Sequence, residues 1–183
     1  MFDHVDRFSS LGGKLVIKLG AVAVIIMMVA ILVQVIASRV GVTTILDING
    51  AWPVFGPAVT LNSLTDLQWY LLAAVALLPA GVVWLRGVHV RVDFAYSAMR
   101  PRGKAAVDLA GHAIFALPFL VLMIPDAWEL AARAFARGEA SPNGGLTDRF
   151  LPRGVIPIGF GLLLAAILFE TWLILRNWKR TDD

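Results

Sequence analysis

Cysteine is absent from the chain, so no disulfide framework, thiolate metal site or redox dithiol can form, and a quinone-linked disulfide oxidoreductase is excluded. Histidine is scarce as well. With His4 in the amino-terminal tail and His89 in the inner loop, His112 has no histidine partner for a haem gripped between helices, which takes about two histidines per haem, and Glu129 and Glu139 have no histidine near them in sequence for metal-assisted hydrolysis. Charged residues make up only 16% of the chain against about 25% in a soluble domain, while 58% are hydrophobic. There is no internal repeat, which removes support for an inverted-repeat transporter built from this chain alone.

What the chain does have is long apolar runs. A span needs roughly 20 apolar residues to cross a hydrocarbon core about 30 Å thick. The 183 residues hold four such runs with short connections. The expected spans are 15–38, 67–86, 106–128 and 155–176, in a single membrane domain covering 1–183. The first run, broken only by Lys18 and Gln34, exceeds the core of a cleavable secretory signal, about 7 to 15 residues, and reads as a retained anchor. The second opens on Trp69 and Tyr70 and closes on Trp84 and Arg86, the pattern of interfacial aromatic girdles with a cationic stop. Pro79 and Gly81 should kink it. Pro118 and Pro125 lie inside the third run, where they are tolerated if neighbouring groups satisfy the freed carbonyls, which predicts helices packed on protein.

Orientation follows from the cations. Eleven of the sixteen basic residues lie at the two termini and in the connection after the second span; the other five are Arg39, Arg133, Arg137, Arg149 and Arg153. The positive-inside rule then puts both termini in the cytoplasm, and an even number of spans agrees. Because these cations flank apolar runs instead of forming a stripe on a soluble face, the net charge of +3 is a topology signal, and no nucleic acid is expected as a partner. The fold class is therefore an all-α membrane protein with four transmembrane helices, both termini inside, and interfacial helical segments in the connections.

The connections carry information of their own. Residues 38–66 mix Ile45, Leu46, Trp52, Phe55 and Leu61 with Gly50, Pro53, Gly56 and Pro57, which suits a segment lying in the membrane interface without specifying its shape. Residues 128–134 can carry the third helix beyond the bilayer, and Ser141, Pro142, Asn143, Gly144 and Gly145 should break the chain. In this topology Arg133, Arg137, Asp148, Arg149 and Arg153 face the outer side. They either steer a docking partner or are ordinary solvated loop charges.

Ionisable groups inside a span are costly and few occur here. His112 and Glu170 each lie about six residues from the cytoplasmic end of their spans, so both sit roughly 9 Å deep and can pair. Three roles are open to them: a proton or ion relay, a polar clamp locking two helices, or separate groups that snorkel to the headgroups. Gln34 reads as a helix-contact residue. No cofactor set, metal set or nucleophile with its base is found, so no enzyme is expected.

The stretch Gly87, Val88, His89, Val90, Arg91, Val92, Asp93 resembles a motif that follows the second span in the DctQ-type small membrane subunits of TRAP transporters, the tripartite ATP-independent periplasmic importers. A turn at 100–103 follows it. Leu67, Gln68, Trp69, Tyr70, then Gly138, Glu139, Ala140, Ser141, Pro142, Gly145, then Ile156, Pro157, Ile158, Gly159, Phe160 are similar to the mannitol or chloroaromatic branch, and the resemblance covers about 63–177. The chain has Asp66 where a glutamate is common and Asn143 where an aspartate is common. The resemblance implies a non-catalytic accessory subunit in the bacterial inner membrane, bracing a large DctM-type membrane subunit that carries the solute and cation sites. A periplasmic solute-binding protein would be the second partner and the lipid bilayer the medium. The solute implied is small, often an organic acid, and His89, Arg91 and Asp93 are implied to fix the inner loop. A homo-oligomeric small channel or exporter, with His112 and Glu170 lining a pore, is the alternative.

Overall fold

The computed structural model describes residues 3–52, 54–87 and 96–178. In chain order the elements are α1 (Asp3–Arg39), β1 (Thr44–Trp52), β2 (Gly56–Thr60), α2 (Leu61–Leu77), α3 (Ala80–Leu85), α4 (Pro101–Gly111), a π turn (His112–Ala116), α5 (Leu117–Ala136) and α6 (Phe150–Asn177). Four helical stretches are long and apolar enough to cross a membrane: Gly13–Arg39, Leu61–Leu85, Pro101–Ala136 and Phe150–Asn177. The motif residues His89, Arg91 and Asp93 lie outside the described residues.

Proline sets the breaks. Pro79 has no N–H to continue α2, whose last turn closes with Leu78 N–H on Ala74 O, and α3 starts afresh beyond it. Pro118 likewise leaves the Ile114 carbonyl without its usual partner. The chain answers with a wider turn just before it, in which the Leu117 N–H reaches back to His112 O. The third span thus stays continuous in direction while the side chains on either side of the turn shift in phase. Beyond it α5 runs to Ala136, well past the expected end of the apolar run, as Trp128 to Ala134 allowed.

Helix α6 is the hub, packed against α2, α3, α4, α5 and the π turn, while α1 sits outside and touches only α2 and α3 extensively. Burying apolar surface cannot hold helices together in lipid, so close backbone approach has to. Gly81 supplies it on α3: a Cβ there would fall 2.6 Å from Leu162 O on α6. Gly159 supplies it on α6: its Cβ would fall 2.8 Å from Leu77 Cβ and 2.9 Å from Leu77 O. The two glycines bracket the Pro79 break, so α6 is gripped on both sides of the kink.

Helix α1 buries one narrow seam of small and medium residues. Gly13, Val16, Gly20, Ala23, Met27, Ala30, Gln34 and Ala37 are its less exposed positions, spaced alternately three and four apart. That 3.5-residue period is the seam of two helices crossing at a shallow left-handed angle. The remaining circumference is mostly Leu, Ile, Val and Met, with Lys14, Lys18, Ala21, Ser38 and Arg39 among them, and is exposed.

One connection departs from the all-helical expectation. Between α1 and α2 the chain forms an antiparallel hairpin, with Thr44 opposite Thr60, Leu46 opposite Val59, Asp47 opposite Ala58 and Trp52 opposite Gly56. Its sequence explains this: Val40, Val42, Thr43, Thr44, Ile45 and Ile48 are β-branched, and Gly50, Pro53, Gly56 and Pro57 punctuate the segment against helix. Helix α2 then begins at Leu61, ahead of the apolar run. Thr60 and Ser63 form a reciprocal cap in which Ser63 N–H donates to Thr60 Oγ1 at 3.3 Å and Thr60 N–H to Ser63 Oγ at 3.2 Å.

Candidate functional site

The polar side chains of the bundle gather in two places, one at each end. At the end that carries the chain termini, the π turn brings His112 inward, where it is only 4% exposed. Thr171 Oγ1 donates to Ile167 O at 2.7 Å, so its single proton is used and it can only accept from His112 Nδ1, 2.8 Å away. His112 therefore carries a proton on Nδ1. Its Nε2 faces Glu170 Oε2 at 3.7 Å, an electrostatic contact beyond hydrogen-bond range. Glu170 Oε2 accepts the Trp84 indole N–H at 2.5 Å, and the Trp84 and His112 rings lie 5.8 Å apart. Three elements, α3, the π turn and α6, are tied through these four side chains. Sequence reasoning singled out His112 and Glu170 and missed Thr171 and Trp84 as their partners. Thr171 was signalled only by its position beside Glu170, one turn beyond Ile167.

At the hairpin end the cluster is larger. Gln34 Nε2 donates to Thr65 Oγ1 at 2.9 Å and Gln68 Nε2 donates to Gln34 Oε1 at 3.0 Å, fastening α1 to α2. Asp66, 6% exposed, accepts the Leu146 N–H at 3.1 Å, and Asn62 Nδ2 donates to Asn143 O at 2.5 Å. Gly145 passes so close that a Cβ would fall 2.0 Å from Asp66 Oδ2 and 2.8 Å from Asn62 O. Helix α5 ends at Gly138, in the left-handed region at φ 55, with Glu139 N–H on Ala134 O at 3.0 Å. The chain then turns tightly about Ser141, whose N–H bonds Leu146 O at 2.9 Å, and rejoins α6. Asn62, Thr65, Asp66 and Gln68 were not assigned roles from sequence, although polar residues three and four apart in the first turns of an apolar helix mark one of its faces as packed.

Arg133, Arg137, Asp148, Arg149 and Arg153 are held in different ways. Asp148 Oδ2 accepts the Val54 N–H at 2.7 Å, and Arg153 Nη1 bonds Glu139 Oε2 at 2.5 Å, so both are occupied within the chain. Arg133 lies 3.8 Å from Glu129 and Arg137 3.9 Å from Glu139, with side chains 54% and 69% exposed, which makes both surface pairs of small energetic weight. Arg149 donates its backbone N–H to Glu139 O at 3.0 Å. Among the described residues every buried side-chain nitrogen and oxygen has a hydrogen-bond partner.

Val54 at the hairpin tip is strained. It adopts φ 75, a region that costs a β-branched residue about 1–2 kcal/mol, and is held there by Asp148 on its N–H and by Thr147 N–H on its carbonyl at 2.8 Å. Val54→Gly is therefore expected to raise the stability of the hairpin by up to about 1 kcal/mol, glycine's greater chain entropy offsetting part of the relief. Asp148→Ala should weaken it by about 1 kcal/mol. Amide hydrogen exchange at Leu46 and Val59 measures both, and faster exchange in Val54→Gly would show that the valine side chain, not the backbone, fixes the tip.

A four-span helical membrane protein whose interior polar groups bond neighbouring helices is the class this fold and these clusters define. The family described as "Tripartite ATP-independent periplasmic transporters, DctQ component" matches residues 54–177, two thirds of the chain. The chain belongs to that family and is a TRAP transporter component. No individually curated protein matches it.

Proposed function

We propose that the chain is the stationary brace of a TRAP-type importer: a non-catalytic small subunit, multi-pass in the bacterial inner membrane with both termini cytoplasmic, that holds a large DctM-type subunit in place. The large subunit carries the substrate and cation sites, and a periplasmic solute-binding protein delivers the solute, a small organic acid. The observation that supports this reading is that Asp66, His112, Glu170, Gln34 and Gln68 all spend their polar atoms on neighbouring elements of the same chain. A protein that moved a charged solute would need polar atoms turned toward a path. The glycine contacts of α6 point the same way, since they favour a rigid body over one that rocks.

The outer end suits contact with the solute-binding protein. Exposed Arg133 and Arg137, together with Arg149, supply the steering charge, while Asp148 and Arg153 hold the hairpin and the 138–149 turn in register behind them. Affinity purification of the tagged chain from its native membrane in mild detergent tests the assignment. Recovery of a stoichiometric membrane protein with about a dozen spans, and of a periplasmic binding protein after crosslinking, is the expected result. Recovery of this chain alone as a stable oligomer would replace the brace with a self-sufficient channel.

A further inference from the structure

The lipid-facing surface of α1 does not stop where the helix stops. Leu15, Val22, Val29 and Ile36 recur every seven residues on one exposed face, and Val33 and Val40 widen it toward the end of the helix. Gly41, at φ 74, closes α1 in a Schellman turn with Val42 N–H on Ala37 O at 2.9 Å and Gly41 N–H on Ser38 O at 3.3 Å. The chain passes straight into β1. Val33, Ile36, Ala37 and Val40 of the helix then line, with Val42 and Ile45 beyond it, one open groove of about 330 Å³. Helix and strand share a continuous aliphatic wall.

Two occupants have the right polarity, a transmembrane helix of a partner and the chain of a lipid. Residue size decides between them. Helices meet in membranes through small residues, and Gly13, Gly20, Ala23, Ala30 and Ala37 lie in the seam facing α2 and α3, while Ala21 and Ser38 are the small residues on the exposed side of α1 between 13 and 39. The groove walls are β-branched apart from Ala37 at the edge of that seam. Bulky methyl-rich walls cannot admit a helix backbone, whereas a flexible acyl chain conforms to them. On β1, Leu46 and Trp52 are 57% and 63% exposed, and tryptophan favours the headgroup level. Arg39, in the last turn of α1, directly precedes the groove residue Val40, and at the membrane surface a phosphodiester would be its counterion.

We infer that the groove at the junction of α1 and β1 is a phospholipid site: an acyl chain of the leaflet at the hairpin end fills it, and β1 lies along the membrane surface instead of standing in water. The site does not depend on which way the protein is inserted.

The absence of cysteine makes the test direct. Nitroxide labels are placed singly at Ile25→Cys, Val40→Cys, Ile45→Cys and Leu46→Cys in the full chain, alone and co-assembled with the large subunit, in vesicles of phosphatidylethanolamine and phosphatidylglycerol. Collision with oxygen is compared with collision with a water-soluble nickel chelate. At 40 and 45 the label should meet oxygen several-fold more readily than nickel, as at the mid-span position 25, with 46 intermediate. Preference for nickel at 45 would place the strand in water, and protection from both reagents in the assembled complex would give the groove to a protein partner; either overturns the proposal. Independently, native mass spectrometry of the chain released from these vesicles should show a retained phospholipid that Val42→Trp, which fills the groove, loses. Undiminished retention in a folded Val42→Trp variant would also overturn it.

Discussion

Gly159→Leu is expected to be among the most destabilising substitutions in the chain, at about 1–3 kcal/mol or somewhat more, because the added side chain has no direction in which to relax. Its Cβ alone would fall 2.8 Å from Leu77 Cβ and 2.9 Å from Leu77 O. Leu77 O belongs to a helix backbone, to which Leu77 Cβ is rigidly fixed and which moves only as a body, so α6 would have to separate from α2. Gly81→Leu should act similarly through Leu162 O, at 2.6 Å from the new Cβ. The control lies on the same helix. Gly161 has nothing within 4 Å of the position its Cβ would occupy, so Gly161→Leu should be neutral or stabilising by up to about 1 kcal/mol while carrying the same change in composition and helix propensity. Thermal unfolding in detergent, followed by tryptophan fluorescence and by the monodisperse fraction on size exclusion, distinguishes them. Equal behaviour of the 159 and 161 variants would mean that the close approach of α6 to α2 does not hold the bundle.

The same contrast shows what the sequence could and could not reveal. Four spans were legible because each is an apolar run long enough to cross lipid, and Pro79 announced its own break. The extension of the third helix past Trp128 and the turn after Ser141 were legible for the same local reason. The hairpin was not, because strand pairing depends on which residues end up opposite, and its tip is fixed by an Asp148 that lies 94 residues from Val54. Nor was the π turn, since a proline signals a lost hydrogen bond without dictating how the preceding turn absorbs it. Depth counting put His112 and Glu170 at one level, and their side chains lie 3.7 Å apart. It could not supply Trp84, which read as a girdle residue, or Thr171, to which the sequence assigned no role. Charge alone likewise could not separate Arg153, bound to Glu139, from the exposed Arg133.

His112→Leu should cost about 1–3 kcal/mol, since it removes the hydrogen bond to Thr171 and the electrostatic contact with Glu170. Glu170→Gln keeps an acceptor for the Trp84 indole and should cost less. In a double-mutant cycle the coupling between the two is expected at roughly 0.6–1.7 kcal/mol, the range measured for polar contacts between membrane helices. The cycle also decides what the pair does. If it clamps α3, the π turn and α6 together, both variants reduce the amount of assembled transporter and leave uptake per assembled complex unchanged. If it relays protons, uptake per complex falls while assembly holds. The hydrogen-bond geometry favours the clamp. A relay needs each proton to have somewhere to go next, yet the Nδ1 proton of His112 is directed at Thr171, whose own proton is committed to the Ile167 carbonyl inside α6. That carbonyl passes nothing on. Thr171→Val tests the point directly: it should lower stability by about 1 kcal/mol and leave uptake per complex unaltered, because the hydroxyl terminates a structural chain and conducts nothing.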